Sequence, residues 1–227
     1  MTYGIIGAMD EEIAHLLNYL TNKKEYKVAN SLFYTGTIRE TDVVLLKSGI
    51  GKVNAAMATT ILMEKFQPNY VINTGSAGGF SPTLQVGDIV ISEEVVHHDV
   101  DATAFNYAYG QVPQMPHTYK ANSYLLEKTK EVVQTIGLHY EVGLVATGDS
   151  FMADEKRIAA VKTLFPQMLA AEMEGAAIGQ VCYQYDVPFI IIRSISDVAG
   201  RDSSVSFEQF LQKAARHAAK IVLTLIE

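Results

Sequence analysis

The stretch Leu169-Ala170-Ala171-Glu172-Met173-Glu174-Gly175-Ala176-Ala177-Ile178-Gly179 runs from apolar residues into two carboxylates one residue apart, then into small residues that head a helical segment through Cys182. This is the pattern of a buried strand handing over to a helix. In open α/β sheets, ligands collect outside the carboxyl ends of strands. Two readings of the acids stand side by side. They face a pocket, or they sit at a helix N-terminus because negative charge there complements the helix dipole.

Working outward, the same handover recurs. Tyr3-Gly4-Ile5-Ile6-Gly7-Ala8-Met9 reads as a buried strand. Asp10-Glu11-Glu12 then opens a helix to about Leu20, with Ile13, Leu16, Leu17 and Leu20 on one face. Tyr26 to Ala29 and Leu32 to Ile38 read as a hairpin turning at Asn30-Ser31. Val43 to Leu46 and Tyr70 to Ile72 are apolar on consecutive positions, as in strands covered on both faces.

Between them, Ser48-Gly49-Ile50-Gly51 leads into a helix with Val53, Ala56, Met57, Thr60 and Ile61 on its apolar side. Strands are expected at Asp88 to Val96, Tyr140 to Ala146 and Phe189 to Ile192, and helices at Ser123 to Gln134 and from Asp154 to Pro166. From Asp99 to about Tyr119 the chain is irregular and rich in tyrosine. A last helix is expected from Ser206, which has capping-box spacing with Gln209. Strands and helices alternate without a linker or repeat, so the expectation is one α/β domain over 1–227 with helices on both faces. The early hairpin makes its sheet mixed.

The 227 residues carry a formal net charge of −7 and a pI near 5.4, with five arginines. Nucleic-acid and anionic-membrane binders need a basic face, so both partners are excluded. No apolar run approaches the roughly 18 residues of a membrane span, and no basic leader precedes one. The single cysteine, Cys182, lies among apolar and aromatic residues, can form no intrachain disulfide, and is read as core. Together these features lead to the expectation of a cytoplasmic protein.

Three strand ends carry acids: Asp10, Glu11 and Glu12; Glu172 and Glu174; and Asp197. Asp197 fits the helix-start reading least, because the next helix begins well beyond it. Such a set, with glycine turns at other strand ends, favours a shared pocket suited to proton transfer and to a developing positive charge.

Gly49-Ile50-Gly51-Lys52 does not complete a Walker A loop, since Leu46 and Val53 stand where glycine and Ser or Thr are needed, nor a dinucleotide fingerprint. Gly75-Ser76-Ala77-Gly78-Gly79 reads as a tight turn in preference to a sugar or phosphate cradle. His97 and His98 are adjacent strand residues facing opposite ways, a poor arrangement for one metal ion. Phe105, Tyr107 and Tyr109 alternate and share a face if extended.

With these residues assembled, the chain resembles the 5′-methylthioadenosine/S-adenosylhomocysteine nucleosidases, within the nucleoside phosphorylase superfamily. The resemblance rests on Ser48-Gly49-Ile50-Gly51-Lys52-Val53-Asn54-Ala55-Ala56, Asn73-Thr74-Gly75-Ser76-Ala77-Gly78, Glu172-Met173-Glu174 and Ser196-Asp197, in order along the whole chain. It implies a three-layer αβα domain with a mixed, twisted central sheet, and hydrolysis of the adenine–ribose bond of these thionucleosides without cofactor or metal.

Residue by residue, it implies that Glu12 activates water and that Asp197, supported by Ser196, protonates adenine N7. Glu174 and Met173 hold the ribose. Ser76 and Arg193 help hold the water and its neighbours. Phe151 stacks on adenine while the Met152 backbone reads the base edge. Met9, Ile50 and Phe207 line the sugar and alkylthio pocket. Phe105, Tyr107 and Pro113 come from the partner subunit of a homodimer. Ala102, Ala171 and Gly175 depart from the family's usual residues and bear on pocket width.

Two other readings stand beside this one. A purine nucleoside phosphorylase would need cations around its phosphate, whereas Asp10, Glu11 and Glu12 follow the first strand. A non-catalytic adenosine-binding module would bind without releasing adenine.

Overall fold

The computed structural model describes residues 1–198 and 203–227, with backbone alone over 203–209. The first half contains β1 (Thr2–Gly7), α1 (Asp10–Leu17), β2 (Thr21–Val28), β3 (Ser31–Ile38), β4 (Thr41–Lys47), α2 (Lys52–Phe66), β5 (Tyr70–Gly79) and β6 (Ile89–His97). A short 3-10 turn at Thr103–Phe105 precedes β7 (Tyr119–Lys120), α3 (Ser123–Ile136), β8 (Tyr140–Thr147) and α4 (Glu155–Leu164). The chain then forms β9 (Met168–Glu172), α5 (Gly175–Gln184), β10 (Phe189–Val198) and α6 (Ser203–Leu225).

All the strands join one mixed sheet. β1 runs parallel to β4 and β5 and β5 parallel to β10, while β2, β3 and β4 form an antiparallel meander. β10 pairs with β6 as well as β5, so β5, β9, β8, β6 and β10 close into a ring from which β1, β4, β3 and β2 extend. Helices cover both faces. On one, α2 and α5 pack Ala55, Ala58, Leu62, Ile178 and Val181 against the sheet. On the other, α1, α3 and α6 contribute Ile13, Leu16, Val133, Ile221 and Val222. Each fully buried Leu or Ile of these layers contributes about 1.5–3 kcal/mol. α4 covers a smaller cluster of Ile158, Val161 and Phe165.

Several elements differ from the expectation. α2 turns Ala55, Ala58, Thr59, Leu62 and Met63 inward, whereas Val53 is 78% exposed and Met57 lies at the surface. Apolar residues surround this helix almost completely, so spacing does not select a face. The small Ala55 and Ala58 do, because they allow close approach to the sheet.

The stretch Gly75 to Gly79 is not a turn. β5 continues through it, paired with β10 from Val71 to Gly79 and with β9 at Gly78 and Gly79. Its glycines answer crowding, since a Cβ at Gly75 would lie 2.6 Å from Glu12 Oε1 and one at Gly78 3.2 Å from Asp197 Oδ2. β10 likewise runs on to Val198. α1 stops at Leu17, three residues short of Leu20, and α6 starts at Ser203, which places Ser206 inside the helix and not at its cap. Phe105 ends a 3-10 turn and is 77% exposed, so it does not share an extended face with Tyr107 and Tyr109.

Candidate active site

The carboxyl ends of β5, β9 and β10 meet the start of α1, which follows β1, in one place. There a cavity of about 280 Å³ is lined by Glu12, Glu172, Glu174 and Asp197, together with Met9, Ile50, Ser76, Phe151, Met173 and Ser196. Ala8, Ala77, Gly78 and Ala171 complete the wall, so few polar groups converge in a mostly apolar enclosure. A larger groove of about 740 Å³ lies over Tyr119, Cys182 and Phe189 and carries a single acid, Asp186. Size favours that groove, but the convergence of acids at strand ends favours the smaller cavity.

Glu12 is the third residue of α1, and its carboxylate turns back on the chain that enters the helix. Oε2 accepts from Ala8 N at 2.7 Å and Met9 N at 3.2 Å, while Oε1 accepts from Ser76 N at 3.1 Å and Ser76 Oγ at 3.4 Å. A residue three places after an N-cap can reach back in this way, so the helix start fixes Glu12 while directing it into the cavity.

Asp197 owes its aim to a bulge. In the β5–β10 ladder Ile195 pairs with Ala77 and Asp197 with Gly78, leaving Ser196 as the extra residue. Bulges re-aim side chains next to active sites. Ser196 Oγ donates to Asp197 Oδ1 at 2.8 Å. Asp197 is 3% exposed. Burial pushes its carboxyl above the ordinary value, against the pull of the Ser196 hydroxyl.

Glu174 occupies the N-cap position of α5, yet its side chain does not cap the helix. Its Oε1 instead accepts from Gly51 N at 2.9 Å, across the cavity rim. Burial raises its carboxyl above the ordinary value and the neighbouring Glu172 charge adds to this, while Arg193 and the Gly51 N–H pull the other way.

Arg193 is wholly buried. It donates to Glu172 Oε2 and, at 2.5 Å, to Asn73 Oδ1, and it stands 3.7 Å from Glu174 Oε2. Burial works against its charge, and the carboxylates of Glu172, Glu174 and Glu12 outweigh that effect.

At the surface beside the cavity, Lys52 Nζ meets Asp99 at 2.5 Å, Lys52 N donates to Asp149 Oδ1 at 2.7 Å and Asp149 N to Asp99 Oδ2 at 2.9 Å. This network ties the loop of Ile50 to the loop of Phe151.

A phosphorylase superfamily model matches residues 2–227. A 5′-methylthioadenosine/S-adenosylhomocysteine nucleosidase from Oceanobacillus iheyensis is 59% identical over 227 residues, covering 100% of this chain and 99% of that protein. The chain belongs to this nucleosidase family. Among solved structures, the nucleosidase from Neisseria meningitidis in complex with methylthio-immucillin-A superposes with a TM-score of 0.97 at 44% identity, over 99% of this chain and 98% of that one. The nucleosidase from Colwellia psychrerythraea in complex with adenine gives a TM-score of 0.96 at 46% identity, over 100% and 94%.

Most of the residues that the nucleosidase resemblance singled out meet in this cavity, with four groups of exceptions. Arg193 lies behind the wall and reaches the site through Glu172 and Glu174. Met152 packs with Ile158 and Val161 and is not among the lining residues. Phe105, Tyr107 and Pro113 lie outside the cavity of their own chain. The side chain of Phe207 falls outside the described residues. Sequence reasoning left Glu172 without chemistry, gave Asn73 no role of its own within its motif, and passed over Thr147. Their signal was available only in part: Thr147 is the last residue of β8 and Asn73 lies within β5, and they meet one network, through Glu172 and Arg193, only once the ring closes.

Proposed function

We propose that this chain hydrolyses the N-glycosidic bond of 5′-methylthioadenosine and S-adenosylhomocysteine, and also of 5′-deoxyadenosine, releasing adenine and the corresponding thioribose or 5-deoxyribose. This places it in methionine salvage and in clearance of methyl-cycle products. The observation that carries the reading is that Glu12, Glu174 and Asp197 line one cavity while its cation, Arg193, stays buried among carboxylates. Such a site repels phosphate and favours water and a cationic sugar.

In the proposed mechanism, Asp197 gives a proton to adenine N7 as the C1′–N9 bond breaks. The sugar passes through an oxocarbenium-like state. Water adds to C1′ and its proton goes to Glu12. Glu174 accepts from the ribose hydroxyls, and a positive charge developing on the sugar favours its anionic form, as Arg193 and the Gly51 N–H already do. Met9, Ile50 and Met173 line the sugar and alkylthio end, and Phe151 stacks on the base beside the Met152 backbone. Acid–base help supplies about 10²–10⁴ in rate, and binding that favours the cationic transition state supplies the rest. Adenine release from methylthioadenosine is expected at the same rate with and without inorganic phosphate. An absolute requirement for phosphate indicates a phosphorylase, and tight binding without adenine release over hours indicates a binding module.

The same reading takes residues 1–227 as one nucleosidase domain working as a cytoplasmic homodimer. Phe105, Tyr107 and Pro113 then close the cavity of the partner subunit. Supporting this, Phe105 and Val53 are among the most exposed apolar side chains, and Ile50 and Phe151 leave the cavity mouth partly open. No described helix is long and apolar enough to cross a membrane. Light scattering at micromolar concentration is expected to give twice the chain mass of 24.9 kDa, and a monomer mass with full activity overturns the shared site.

A further inference from the structure

We propose that Glu172 is a positioning residue of this reaction, holding Arg193 and the first turn of α5 so that the Glu174 carboxylate stays free to face the substrate. The inference rests on the hydrolase reading above. Its starting point is an exchange of roles at the head of α5. The residue in the N-cap position ordinarily turns its side chain onto the first N–H groups of its helix. Glu174 occupies that position and points into the cavity instead.

Glu172 and Thr147 take over the capping. Glu172 Oε2 accepts from Glu174 N at 2.9 Å and Gly175 N at 2.7 Å, and Thr147 Oγ1 accepts from Ala176 N at 2.8 Å while donating its own proton to Glu172 Oε1. These three successive N–H groups are thus satisfied without Glu174.

Charge completes the argument. The Arg193 guanidinium faces both carboxylates and bonds directly to Glu172, leaving Glu174 at 3.7 Å. A guanidinium wholly removed from water keeps its charge only with an anionic partner. If the Glu172 charge is removed, the nearest remaining partner is Glu174. Drawn onto Arg193, Glu174 would lose acceptor capacity that the ribose hydroxyls need. Adenine alone makes no demand on Glu174, so the effect is confined to ligands that carry the sugar.

The test compares wild type with Glu172→Gln, which retains a capping oxygen but not the charge. Each is titrated with adenine and with a non-hydrolysable C-nucleoside analogue of methylthioadenosine, alongside kcat and KM. Glu172→Gln is expected to bind adenine within about twofold of wild type and the nucleoside analogue at least about tenfold more weakly, as for a lost hydrogen bond to a charged group. Equal loss of both ligands, or loss of neither, overturns the proposal.

Removing one partner of a buried ion pair is strongly destabilising, so Glu172→Gln risks misfolding. Thr147→Val, which loosens Glu172 without discharging it, is then read for the same split in smaller measure, and an even loss overturns the proposal equally. A failure here with phosphate-independent adenine release by wild type removes only the role of Glu172. Absence of that release in wild type removes the hydrolase reading itself.

Discussion

Asp197→Asn is expected to lower kcat on methylthioadenosine by about 10²–10⁴, or roughly 3–5 kcal/mol in the barrier, with nucleoside binding largely kept. An amide at this position still receives the Ser196 hydroxyl, and it fills the same space beside Gly78. What it lacks is the proton for N7. Burial raises the Asp197 carboxyl above its ordinary value, so its acid form persists to higher pH than that of a free carboxyl, near ~3.9. In the free enzyme the acid is therefore lost as pH rises through the raised value. The kcat/KM of wild type is expected to fall along that limb, and the limb is expected to be missing from the residual rate of Asp197→Asn.

Stability separates lost chemistry from lost fold. Because the native state holds this proton more tightly than the unfolded chain, Asp197 contributes most stability below its ordinary pKa. That contribution disappears as pH rises through the raised value. The asparagine variant is thus expected to be at least as stable as wild type at neutral pH. Thermal melts and pH–rate profiles of the two proteins decide it, and near-wild-type kcat for Asp197→Asn would show that adenine departs without that acid.

The extent to which this site can be read from sequence follows the range of the interactions that build it. β1 and the start of α1 are legible because apolar run and acidic helix start lie within a dozen residues, and Glu12 comes with them. Glu174 and Asp197 are legible as acids at strand ends. The Gly75 to Gly79 stretch misleads, since glycine usually marks a turn. Here Arg193 and Glu12, both distant in sequence, occupy the space of its missing side chains. Glu172 is a similar case. Beside Glu174 it reads as a second helix-start acid, and only the closing of β8, β9 and β5 into one ring brings Thr147, Asn73 and Arg193 around it. α2 fails for a different reason: with apolar residues on nearly every side, only its packing against the sheet and α5 selects the buried face.

Glu12→Gln tests the other half of the proton traffic and should stop turnover, with kcat down by about 10²–10⁴ or more and nucleoside affinity within a few-fold of wild type. In wild type the carboxylate accepts from four donors, Ala8 N, Met9 N, Ser76 N and Ser76 Oγ. Glutamine keeps one acceptor oxygen. With that oxygen on Ala8 and Met9, the amide nitrogen faces Ser76 N, donor against donor. The reverse flip sets it against Ala8 and Met9. Either way a buried N–H loses its partner, at a cost of about 1–3 kcal/mol.

Part of that cost falls on the entry to α1, so a modest drop in Tm is expected together with the loss of rate. The discriminating feature is what survives. The cavity keeps Glu174, Met173 and Phe151, so the variant is expected to hold uncleaved methylthioadenosine tightly enough for its affinity to be measured directly. Calorimetric titration with the intact nucleoside, paired with an adenine-release assay over hours, reads both quantities on one sample. Tight binding with negligible release places Glu12 at the water-activating step. Release at a rate near wild type would take Glu12 out of the mechanism and leave the attacking water to be activated elsewhere in the same acidic cavity.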